Sequence, residues 1–128
     1  MSQNGRNKTG ISELAGLVVF AIIGASGLYL LRRCWPAYAV AAADKSYTIG
    51  MLWARLGAGI LASILSTMTA TFIAKDRGNS AVLTGLLLFA ISAYIHFCRV
   101  WNDYPVWYHL TYLSSLILIP MLHKLFRR

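Results

Sequence analysis

A chain of 128 residues has room for one domain at most. Its side chains are 58% hydrophobic and 12% charged, about half the charged share of an average soluble protein, and a soluble fold this small could not hide that much apolar surface. The net charge of +8 is spread over cations that flank apolar runs, so it excludes the continuous basic stripe of a nucleic-acid binder and points to topology markers and anionic-lipid contacts.

The polar start "MSQNGRNKTG" leads into "ISELAGLVVFAIIGASGLYLL", 21 residues from 11 to 31. That run is too long for the core of a secretory leader, and no small-residue cleavage site with a soluble domain follows it. It is expected to be a retained membrane helix. Gly24 and Gly27 would let a neighbouring helix approach, and Glu13 suits a helix N-terminus, where the dipole favours a carboxylate. The segment 32–49, "RRCWPAYAVAAADKSYTI", breaks the apolarity and is expected to hold a short interfacial helix around "PAYAVAAAD".

Residues 50–74 form the second run. Ala54, Ala58, Ala62, Ser66 and Ala70 recur at every fourth position, a stripe of small side chains along one helix face that permits close packing in lipid. Within a single chain such a stripe serves bundle packing; between copies it would serve self-association. The turn "KDRGNS" precedes a third run at 81–98, and "RVWNDYP" separates that from a fourth at 106–123. The runs lack the alternation of β-barrel strands, and backbone in lipid must bond within its own segment. The expected fold is an all-α bundle of four transmembrane helices in one integral membrane domain over 1–128.

Orientation follows the cations. Placing both termini with the "KDRGNS" turn collects Arg6, Lys8, Lys75, Arg77, Lys124, Arg127 and Arg128 on one side, against Arg32, Arg33, Lys45 and Arg99 on the other. Both termini are therefore expected in the cytoplasm. All four Trp residues (Trp35, Trp53, Trp101, Trp107) and all seven Tyr residues then fall near the outer interface. Tyr94, Tyr104, Tyr108 and Tyr112 are among them. Anchoring alone would place aromatics at both interfaces.

Ionisable groups gather at the same end: Arg55 about a turn inside the second helix, Arg99 and Asp103 in the last joint, and His96 and His109 symmetrically about it. Charges within a membrane are costly unless paired. The expected pairs are Arg55 with Asp103 and His96 with His109. The plainer alternatives are an Arg55 that snorkels to the headgroups and histidines bonded to a Tyr hydroxyl or to water. Cys34 and Cys98 carry no metal or disulfide spacing. There is no Ser-His-Asp elbow, phosphate-binding glycine loop or Cys-x-x-Cys, and all four lysines lie in flanks or loops, which argues against a retinal Schiff base.

The small-residue helix "ARLGAGILASILSTMTATFIA", the basic turn after it, and the aromatic-Pro-x-aromatic entry "YPVWYHLTYL" into the last helix together resemble a family of small bacterial four-helix inner-membrane proteins. The resemblance spans roughly 54–125. It implies a bacterial inner-membrane location and carries no known reaction. This chain ends in "IPMLHKLFRR" where that family often has a Gly/Ala-rich last helix. Proline at 105 fits a helix entry, where its missing N–H leaves nothing unpaired.

No catalytic residue, cofactor or metal is expected, and the chain is not read as an enzyme. The expected role is an accessory or structural subunit that holds a partner protein or lipid at its outer aromatic face. Its partners would be membrane lipids, with a larger membrane complex or self-association. One alternative is an oligomeric transporter or channel with Arg55, Asp103, His96 and His109 near the path. Another is a redox or quinone-linked anchor that uses His96 and His109.

Overall fold

The computed structural model describes residues 3–76 and 78–127, with side chains from residue 10 onward. Arg77 and Arg128, and the side chains of Arg6 and Lys8, lie outside the described residues. All described elements are helical: α1 (Gln3–Cys34), α2 (Pro36–Asp44), α3 (Ile49–Ala74), α4 (Asn79–Cys98), a 3-10 turn (Trp101–Asp103) and α5 (Val106–Phe126).

Helices α1, α3 and α4 are long and apolar enough to cross a membrane. At 1.5 Å rise per residue, the 26 residues of α3 reach roughly 39 Å, beyond a hydrocarbon core of about 30 Å. The fourth run also forms one helix, the 21 residues of α5. Its two histidines, two tyrosines and Pro120 leave it less apolar than the other three. The exterior of the molecule is oily: Phe72 is 80% exposed, and Val18, Ile22, Leu86, Ile91 and Leu118 face outward. In water such a surface would drive association; in lipid it is solvated.

Small residues set the packing. Helices α1 and α3 run antiparallel in the most extensive helix contact of the molecule. A Cβ at Gly16 would lie 2.9 Å from Thr84 Cγ2 and 3.2 Å from Ser66 Oγ, so α1, α3 and α4 converge there. Ser66 Oγ donates to Gly16 O at 2.7 Å, a buried bond of a kind worth about 0.6 kcal/mol in membrane interiors. Gly27 abuts Ala58. The stripe on α3 is thus used inside the chain: Ala62, Ser66 and Ala70 are buried, and Ala54 and Ala58 are half-buried. Gly24 departs from expectation, because a Cβ there would meet nothing within 4 Å. In the α4–α5 hairpin, a Cβ at Gly85 would sit 2.5 Å from Pro120 Cγ and 2.7 Å from Leu116 O. Pro120 lacks the N–H that would bond that carbonyl, and Gly85 leaves room for both.

Each joint has its own stop signal. Helix α2 coincides with "PAYAVAAAD": Pro36 opens it, and Lys45 ends it with φ 61°. Thr48 Oγ1 accepts from Met51 N to start α3. At the opposite end of the bundle Lys75 closes α3, and Asp76 accepts from Gly78 N, Ser80 N and Ser80 Oγ to start α4. The joints at 35–48 and 99–105 lie at one end, here called the aromatic end. The 75–78 turn and the C-terminus of α5 form the basic end.

Candidate functional site

The aromatic end is built from five elements. Tyr38 of α2 is fully buried against Ala41, Ala42 and Met51. From it a chain of ring contacts runs through Tyr47, Tyr104, Tyr108 and Tyr112, with centroids 4.8–6.3 Å apart. The chain continues to His96, His109, Trp101 and Phe97. Trp35 joins at Tyr38, and the Trp53–Trp107 pair joins through Tyr108. All four tryptophans belong to one network. Such ring pairs contribute about 0.5–1.5 kcal/mol each beyond their buried area. Tyr94 and Tyr29 stay out of it, each more than 60% exposed. Arg99 ends α4 through its backbone, with an exposed side chain.

The two histidines meet as expected. His96 Nδ1 and His109 Nδ1 are 2.6 Å apart, and His109 Nε2 lies 3.0 Å from Trp101 O. A carbonyl oxygen only accepts, so His109 Nε2 carries a proton, and in a neutral ring its Nδ1 is then the acceptor. His96 therefore donates from Nδ1 and keeps its lone pair on Nε2. Two nitrogens bound tetrahedrally to zinc at about 2.0–2.1 Å would stand roughly 3.3 Å apart. The shorter gap leaves no place for an ion between the facing nitrogens. Among the described residues no group of three or more His, Cys, Asp or Glu side chains could hold a metal.

The expected Arg55–Asp103 pair does not form. Asp103 Oδ2 sits 4.0 Å from Lys45 Nζ at the partly exposed rim, because the 3-10 turn holds it there and α2 delivers Lys45 beside it. Arg55 instead donates to the Tyr38 hydroxyl at 3.1 Å. Its guanidinium carbon lies 5.0 Å from the Tyr104 ring centroid and 6.0 Å from that of Tyr47. Rings and a hydroxyl, rather than a carboxylate, hold the charge; such cation–π contacts are worth about 0.5–2 kcal/mol each. Burial raises the Tyr104 phenol well above its usual range, against the opposing pull of Arg55, so it is a neutral ring under the cation.

Sequence reasoning placed Tyr38 and Tyr47 at this end without giving either a role. The signal was available: the interfacial helix puts Tyr38 on the same face as Ala41 and Ala42, the face that must cover the start of α3. Cys34 and Cys98 are both exposed and free. At the basic end, Glu13 Oε1 and His123 Nε2 are buried without a hydrogen-bond partner. The sequence matches no family model, and comparison with curated proteins and with solved structures finds no match either.

Proposed function

We propose that the chain is a non-catalytic bacterial inner-membrane protein that crosses the bilayer four times, α5 included, with both termini in the cytoplasm. In this reading it is an accessory or structural subunit, and its outer aromatic face holds a partner protein or lipid. The observation that carries the reading is the ring network: five elements converge on it, and Arg55, His96 and His109 each find a partner within it. The exposed Trp53–Trp107 pair lies at its edge. The 21 residues of α5, about the length that crosses a hydrocarbon core, support the fourth span.

Against a channel through the same residues stands the filling of the cluster: His109 is fully buried and Tyr108 nearly so, leaving no open path beside the histidines. Against a histidine-ligated redox centre stands the direct His96–His109 bond.

The test is photo-crosslinking in the native membrane, with a photoreactive aromatic residue replacing Trp53 in one variant and Phe72, at the opposite end of the same helix, in another. A discrete adduct from position 53 and none from 72 is expected. Equal labelling at both positions would overturn the assignment of the aromatic end as the working face.

A further inference from the structure

A groove of about 300 Å³ opens between α1, α3 and α5 directly below Arg55. It exists because α1 packs on α3 and α4 but hardly touches α5. Phe20, Gly24 and Leu28 of α1, Ala58 of α3 and Tyr112 of α5 form its walls, with Arg55 at its head. Gly24, where a Cβ would meet nothing within 4 Å, borders this space.

The chemistry of the groove is that of an amphiphile site. Its body is apolar and its one charged group is cationic. The guanidinium has five N–H donors; the Tyr38 hydroxyl takes one and the Tyr108 hydroxyl stands within reach of another, and no carboxylate lies within ion-pair distance among the described residues. A charge at this depth, about 9 Å along α3 from its first residue, is costly without a counter-charge. The rim above adds to the field: Arg32, Arg33, Lys45 and Arg99 at this end outnumber Asp44 and Asp103.

We infer that the groove binds one anionic phospholipid of the outer leaflet, its phosphodiester on Arg55 and one acyl chain along α1. Guanidinium is the side-chain cation whose fork matches phosphate geometry. The volume sits at the lower edge of small-ligand sites, roughly 300–1,000 Å³, so it suits one chain rather than two. The excess of rim cations favours a headgroup with net negative charge over a zwitterion. This inference rests on the four-span reading, which places the groove in the outer leaflet, and sharpens what the aromatic end holds.

The test is native mass spectrometry of the protein released from nanodiscs of equal phosphatidylglycerol and phosphatidylcholine, with palmitate added in a parallel sample. One phosphatidylglycerol retained per chain is expected. Gly24→Leu, whose Cβ would meet nothing within 4 Å and whose longer side chain would project into the groove, should cut retention about tenfold while melting temperature stays unchanged; Arg55→Gln should remove the preference for phosphatidylglycerol. Equal retention of both phospholipids, displacement by palmitate, or full retention by Gly24→Leu would each overturn the inference. Cysteine labelling from outside cells reads the topology separately, so a failed groove and a failed topology give different results.

Discussion

The two ends of the bundle draw their hydrogen bonds from different distances along the chain. At the basic end the work is local: Asp76 takes its three hydrogen bonds from residues two and four positions away, and Lys75 and Gly78 turn the chain on their own backbone angles. At the aromatic end the partners are distant in sequence. Arg55 reaches Tyr38 across 17 positions and His96 reaches His109 across 13, through rings contributed by α2, α3, α4, the 3-10 turn and α5. A local end can be capped and forgotten. A convergent end ties five elements together.

The largest expected effect tests that convergence. His109→Ala leaves the His96 donor without its acceptor and opens a hole beside Trp101 and Tyr104. The combined loss should be about 3 kcal/mol, read as a lowered melting temperature in detergent and a rise in Trp fluorescence quenching by water-soluble agents. A loss confined to a few tenths would mean that the rings stand without the histidine bond.

Gly78→Ala probes the other end. Gly78 has φ 103°, and a Cβ there would lie 2.8 Å from Lys124 Cα. A destabilisation of about 2 kcal/mol is expected. The contrast lies in its reach: crosslinking from position 53 should be unchanged, whereas His109→Ala should abolish it.

Asp103→Asn is the smallest of the three. With its partner Lys45 at the rim and both side chains 30% or more exposed, the pair should contribute no more than about 0.5 kcal/mol. Had Asp103 neutralised Arg55, the same substitution would strand a buried charge and cost several times as much.

The parts of this molecule legible from sequence were those written in local patterns. Apolar runs marked the helices at 11–31, 50–74, 81–98 and 106–123, and helix α2 stood out through Pro36 and its alanines. The structure extends α1 to Gln3–Cys34 and α5 to Val106–Phe126, since helix geometry continues into polar flanks that a hydropathy pattern cuts off. The His96–His109 meeting was readable because a tight hairpin fixes its own register.

Arg55 was not readable. Its partner depends on which way α2 folds over α3, and a rule that pairs opposite charges picks a carboxylate from the same end, Asp103, whereas a hydroxyl and two rings hold the guanidinium. Gly24 misled for a related reason: a glycine in a membrane helix signals close approach only if a neighbouring helix passes that face, and α5 does not.

The native cysteines allow the most direct measurement of the central claim, four crossings with the aromatic end outside. Cys34 and Cys98 are exposed at the aromatic end, so a membrane-impermeant maleimide applied to intact cells should label the unmodified protein. Lys75→Cys, placed in a Cys34→Ser, Cys98→Ser background, should remain unlabelled until the membrane is opened. Labelling of residue 75 from outside, with the native cysteines protected, would contradict the account.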